Sequence, residues 1–213
     1  MCLINLRRIL KMMAIVSLDN LRAGLRWWDE NTWGKDILNA DYGAIYDVRS
    51  AGVTAQWWAA TVDRLSKWRA FRPNYTKAGI AARGAGCLSA ISAQYAALRG
   101  KSTTEPSIVD LCWADVAPLF ALACDIKPVK SPVFPSKMCH FLFPRLFIPM
   151  DNLATGVLDY EFWWRGMKDE WSRFKDKDDA VEILTNALGA PLHPLYPLET
   201  KMMEISQIGH NHR

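Results

Sequence analysis

The chain has 213 residues, half of them hydrophobic and 23% charged, with a formal net charge of +4. That length suits one domain, or one and a half, and the apolar share can fill a core, which excludes global disorder. No run approaches the roughly 20 uncharged apolar residues of a membrane-spanning helix, so a cytoplasmic protein with no membrane partner is expected.

In chain order, Ile9–Leu18 is apolar but carries Lys11 and lacks a small-residue cleavage site. It reads as a helix start rather than a signal peptide, with Met12 and Met13 as alternative starts. A helix follows from about Thr54 to Arg69, with Trp58, Val62 and Leu65 along one face, stopped before Pro73. Lys77–Leu98 is Ala-rich and favours helix, and its glycines Gly84 and Gly86 allow close packing or a kink. Ile108, Leu111, Cys112, Val116, Leu119, Phe120 and Ala123 keep helical spacing, with Pro106 and Ser107 marking the start. Pro135 and Ser136 open a short helix that Pro144 ends, and Leu146–Met150 is extended. Leu153–Phe174 is one more helix, with an aromatic side. Val181, Ile183, Leu184, Ala187 and Leu188 follow, closed by Gly189 and Pro191. Glu199–Ile208 is a short last helix.

No alternating strand pattern persists, and there is no internal repeat or Gly/Ser linker. The fold expected is one all-α domain over residues 1–213 with about eight helices. It divides into subdomains at 1–105 and 106–213 if a ligand cleft lies between two helical halves.

The five cysteines (Cys2, Cys87, Cys112, Cys124, Cys139) show no C-x2-C pair. They read as buried reduced thiols, and no metal or cofactor is expected. His210 and His212 read as a solvated tail.

The charge is unevenly spread. No acid stands between Arg64 and Thr104, a stretch carrying Arg64, Lys67, Arg69, Arg72, Lys77, Arg83, Arg99 and Lys101. None stands between Ile126 and Met150, which hold Lys127, Lys130, Lys137 and Arg145. Acids collect elsewhere, as at Asp159, Glu161, Asp169, Glu170, Asp176, Asp178 and Asp179. Such segregation predicts an electropositive side suited to a polyanion, with salt-dependent phosphate contacts. The plainer reading is a basic surface that aids solubility.

The most informative stretch runs from Lys130 to Asn152. Its short helix has Lys137 in the first turn and Met138, Phe141 and Leu142 on an apolar face. The helix dipole is positive there, so Lys137 is either merely exposed or recruited as an amine of lowered pKa. Asp151, delivered to the start of the next helix, is an N-cap, a catalytic carboxylate, or both. His140 either contacts DNA or donates a proton, or is a buried helix histidine bonded to a carbonyl. Ten tryptophans include the pairs Trp27-Trp28, Trp57-Trp58 and Trp163-Trp164. One of each pair faces a base pocket, or all of them fill helix interfaces.

This segment resembles the core of the helix-hairpin-helix DNA glycosylase superfamily. Pro132-Val-Phe-Pro-Ser-Lys137 overlays that family's hairpin pattern, and Phe147-Ile-Pro-Met-Asp151 overlays the hydrophobic run that ends in its acid. The resemblance implies that Asp151 is the catalytic acid and that Lys137 falls on the Schiff-base lysine of the bifunctional members. Lys127, Lys130, Ser131, Ser136, His140 and Arg145 are the DNA-contacting residues expected around them. Val133 and Pro135 stand where the family has hairpin glycines, and the Lys–Asp interval is several residues shorter than usual. The runs Ser136-Lys-Met-Cys-His-Phe-Leu and Thr200-Lys-Met-Met-Glu204 resemble a divergent branch acting on hypermodified phage bases.

The function so implied is a monomeric DNA glycosylase in anti-phage defence. It flips a damaged or modified base out of double-stranded DNA and excises it, with or without lyase activity. The competing readings are a non-catalytic helical DNA-binding module and an unrelated helical toxin or interaction domain.

Overall fold

The structure, a computed structural model, describes residues 14–31, 35–72 and 74–213, without the side chains of 35–41. The described residues form ten helices and no strand. They are α1 (Leu18–Glu30), α2 (Lys35–Ser50), α3 (Ala55–Lys67), α4 (Lys77–Gly86), α5 (Leu88–Arg99), α6 (Trp113–Ile126), α7 (Val133–Leu142), α8 (Tyr160–Arg173), α9 (Lys177–Leu188) and α10 (Leu198–Asn211). The all-α expectation holds, with two helices more than about eight.

Local chemistry sets the boundaries. Ser17, Thr54, Thr76 and Asp159 each accept a backbone N–H from the first turn of α1, α3, α4 and α8. Gly189 closes α9 in the left-handed region at φ 68°.

Four boundaries differ from the sequence reading. Of the expected helix start at Ile9–Leu18, residues 9–13 lie outside the described residues, as does Cys2. Residues 14–17 are not helical, because Ser17 caps a helix that begins at Leu18. The Lys77–Leu98 helix is two, broken at Cys87, whose N–H turns back to Gly84. The helix marked by Ser107 starts only at Trp113. Asp110 ties up the Ser107 N–H, and Asp115 accepts from the Cys112 N–H to start α6. Leu153–Phe174 begins with turns, and α8 starts at Tyr160 behind its Asp159 cap.

One hydrophobic cluster runs from Val16 to Ile205. The largest helix contact is α1 on α10, and two glycines permit it. A Cβ at Gly24 would lie 2.0 Å from the Ile205 carbonyl oxygen, and one at Gly209 would lie 1.9 Å from that of Asn20. Both members of the pairs Trp57-Trp58 and Trp163-Trp164 are buried in this core, as is Trp28, while Trp27 stacks on His212. His210 and His212 are exposed, as the tail reading expected, and His212 also rests on that ring. Four cysteines are free, but only Cys139 is fully buried, and Cys112 is exposed beside Asp115. Among the described residues, no helix is long and apolar enough to cross a membrane.

Candidate active site

Every residue of α7 is buried. The helix opens at Val133, so Lys137 lies in its second turn and not its first. The dipole argument weakens accordingly, and burial becomes the dominant force on the amine. Lys137 Nζ donates to Asp151 Oδ2 at 3.2 Å and to the Trp68 carbonyl at 2.9 Å. The lysine side chain is 4% exposed and the aspartate 26%. Desolvation pulls the Lys137 pKa down against the opposing pull of Asp151. Burial pushes Asp151 up, but the Lys137 charge and the N–H groups of Leu153 and Ala154 outweigh it and leave the acid below its ordinary value. The carboxylate is thus ionised, fixed in direction and partly open to solvent.

Asp151 owes its position to the segment before it, which side chains grip almost residue by residue. Trp164 Nε1 donates to the Leu146 carbonyl at 2.9 Å, His140 Nδ1 to Phe147 at 2.7 Å, and the Tyr160 hydroxyl to Ile148 at 2.8 Å. The Met150 N–H donates to Ser136 Oγ at 3.2 Å. Beyond the acid, the Leu153 N–H bonds Asp151 Oδ1 at 3.0 Å. Thr155 exchanges hydrogen bonds with the Asp151 backbone, and Asn211 holds the Ala154 and Thr155 carbonyls. Asp151 therefore caps a turn and not a helix.

The expected DNA contacts divide sharply. Lys127 is buried, donating to the carbonyls of Ala70 at 2.9 Å and Arg72 at 2.7 Å. Ser136 and His140 are fully buried in the scaffold just described. Burial depresses the His140 pKa to about 3, so the ring is neutral and is no proton donor at physiological pH. Arg145 is bound to Glu199 through two nitrogens. Lys127, Ser136 and His140 have no surface to offer DNA, and the Arg145 guanidinium is already neutralised. Only Lys130, exposed, and Ser131, half-buried, keep that prospect. They line a groove with Asn152, Gly156 and Leu158 beside the Asp151 turn. It adjoins a wider one of about 510 Å³ over Phe120, Tyr160 and Trp113.

The acid-free runs find partners elsewhere in the chain. Lys77 pairs with Asp63, Arg99 with Glu105, and Lys101 with Asp115. The cationic face is smaller than the sequence count implies. Its exposed remnant near the site is Lys67, Arg69 and Arg72. Lys67 ends α3, and Arg69 and Arg72 belong to the loop after it, whose carbonyls at Trp68, Ala70 and Arg72 hold the two buried lysines. Arg69 takes φ 54°, unusual for a side-chain-bearing residue.

A second ion pair, Lys201 with Glu204, lies on α10, its lysine fully buried. Sequence reasoning quoted that run without giving it a role. Tyr160, Trp164 and Asn211, which position Asp151, carried no signal, because their partners are backbone carbonyls far along the chain. The residues expected to carry the chemistry, Lys137 and Asp151, do meet. Compared with known protein families, curated proteins and solved structures, the chain returns no match.

Proposed function

We propose that the protein is a DNA N-glycosylase acting on a flipped-out, damaged or modified base, and that Asp151 is its catalytic carboxylate. The observation that carries this reading is the Asp151 carboxylate itself: ionised, braced from three directions and a quarter exposed. Cleaving a base from its sugar builds positive charge on the sugar ring, and a fixed anion stabilises that charge without reorganising. Lys67, Arg69, Arg72 and Lys130 supply the exposed cations for phosphate contact.

Lys137 is a positioning residue in this scheme. Its ammonium is 4% exposed and already divided between Asp151 and Trp68. Attack by the amine on C1′ would require it to leave both partners, so water is the nucleophile and an abasic site is the product. The substrate class includes hypermodified phage cytosines, which fits an anti-phage role in the cytoplasm.

The enclosure of Lys137 also favours a second reading, in which the ion pair only fastens α7 to the Asp151 turn of a non-catalytic DNA-binding module. One experiment separates them. Purified protein is incubated with normal and glucosylated hydroxymethylcytosine DNA, and hot alkali then reveals abasic sites. Wild-type protein should produce such sites and Asp151→Asn should not, with duplex binding retained. Equal cleavage by the variant would remove Asp151 from the mechanism, and DNA binding without any cleavage by the wild type would leave the binding module. Borohydride should trap no Lys137 adduct.

A further inference from the structure

Among the described residues, the most exposed large hydrophobic side chains fall together in the stretch just past Asp151. They are Leu153 at 83%, Leu158 at 86% and Phe162 at 77%, against 43% for Val109 and 44% for Leu195. Single exposed leucines are ordinary, but a cluster of them beside a polar site marks a contact surface.

Leu153 is set apart by how it is held. Its N–H donates to Asp151 Oδ1 at 3.0 Å, and its carbonyl accepts from His212 Nε2 at 3.1 Å. The next two carbonyls, of Ala154 and Thr155, accept from Asn211 at 3.3 and 2.7 Å. The Thr155 N–H returns to the Asp151 carbonyl at 2.9 Å, and His212 lies stacked on Trp27 with ring centres 4.7 Å apart. A backbone fixed at so many points holds the side chain outward and has little conformational entropy left to lose on contact. Leu153 is a rigid apolar tip whose own N–H is bonded to the carboxylate.

Neighbouring charge decides which of the three side chains suits a polyanion. Leu158 and Phe162 alternate with the exposed acids Asp159 and Glu161, which repel phosphate. Leu153 stands between Asn152 and Ala154 and beside His212, and Asn152 shares its groove with Lys130.

Resting on the glycosylase reading above, we propose that Leu153 enters the base stack of duplex DNA and takes the space that the flipped nucleotide leaves. Extruding a base costs its stacking and pairing, and an apolar side chain inserted at the vacated step replaces part of that contact. Leu153 is a positioning residue, since it touches no reacting atom. Because its N–H holds Asp151 Oδ1, the inserted tip and the carboxylate belong to one rigid turn. A step opened by the leucine therefore presents its sugar to the acid.

The test has two readouts. 2-Aminopurine placed beside the target base brightens when its stack opens; wild-type protein should brighten it on binding a matched duplex, and Leu153→Ala should not. Excision of glucosylated hydroxymethylcytosine is then compared between a matched duplex and one in which that base is an unpaired bulge, already cheap to extrude. The ratio of matched to bulged rate should fall about 10-fold or more in Leu153→Ala, the scale of the unstacking no longer offset, and Leu153→Met should restore it. Leu153 fills no core, so both variants should melt with the wild type. Equal brightening by wild type and Leu153→Ala, or an unchanged ratio, would overturn the insertion and leave the glycosylase reading standing. Wild-type brightening without abasic sites in either duplex would sink the glycosylase reading and keep Leu153 as the inserting residue of a binding module. A wild type that leaves 2-aminopurine dark would also overturn the insertion, and sedimentation with anionic phospholipid vesicles, lost in Leu153→Ala, would then assign the tip to a lipid surface.

Discussion

Tyr42 and His140, 98 residues apart, meet at 2.7 Å between the phenol oxygen and Nε2. Because Nδ1 donates to the Phe147 carbonyl, Nε2 holds the lone pair and accepts the Tyr42 hydrogen. One neutral imidazole thereby links α2 to the segment that carries Asp151. Desolvation sets its pKa near 3, against an ordinary 6.5. Below about pH 6.5 the unfolded chain takes up a proton that the folded chain refuses. The His140 contribution is therefore complete above that pH and is lost progressively toward pH 3. The His140 ring signals in an NMR titration should stay unmoved from pH 8 to pH 5, and a shift midpoint near 6.5 would contradict the buried neutral ring.

Removing one member of the Lys137–Asp151 pair leaves the other without its counter-charge. Asp151→Asn should cost about 2 kcal/mol in urea unfolding, less than the roughly 3–5 kcal/mol of a fully buried pair, because the acid is partly exposed. Adding Lys137→Met should recover part of that loss, because a buried ammonium no longer needs a partner. Strictly additive losses would show that the two charges do not couple. The lowered Asp151 pKa also gives stability that is present at neutral pH and lost as pH falls through and below its ordinary 3.8.

The crossing of α1 and α10 tolerates no side chain at its closest points. Gly24→Ala and Gly209→Ala would each drive a methyl into a backbone carbonyl, at 2.0 and 1.9 Å. Each should lower stability by about 3 kcal/mol or more, the upper range of overpacking, because backbone cannot step aside as a side chain can. Gly86→Ala meets nothing within 4 Å and should be neutral or slightly stabilising. A thermal melt of the three variants gives the ranking, and a Gly24→Ala melt equal to wild type would refute the close crossing.

The exposed cations at the end of α3 and in the loop after it should govern salt dependence. Replacing Lys67, Arg69 and Arg72 by Gln should weaken duplex binding and flatten the slope of log K against log salt by about 2–3, near one unit for each lost phosphate contact. Circular dichroism should be unchanged. An unaltered slope would place the DNA on another face.

Helical periodicity made most of the fold legible. Val62 and Leu65 on α3, and Leu184 and Leu188 on α9, lie on the buried faces their spacing predicts. The helix Lys35–Ser50 escaped the reading, since its residues mix charged, polar and aromatic types without a continuous apolar stripe. The site was half legible. Lys137 and Asp151 were singled out by pattern and converge in space, but a lysine in an acid-free run looks the same whether it faces water or the core. Lys127 and Lys137 went inward because the chain after α3 offers them bare carbonyls. No local signal announces such an acceptor. Ser136 was read as outward for the same reason, whereas of the two readings of His140 the structure shows the buried ring bonded to a carbonyl.

The clasp between α1 and α10 also bears on synthesis. Lys201 and Glu204 ride on the last described helix, while Trp28, against which Lys201 rests, belongs to the first. A nascent chain therefore carries α1, with Trp28, out of the ribosome long before the helix that covers it exists. Until Leu198–Asn211 emerges, the face of α1 that packs on α10 has no cover, and a message truncated upstream would yield a chain with a sticky flank.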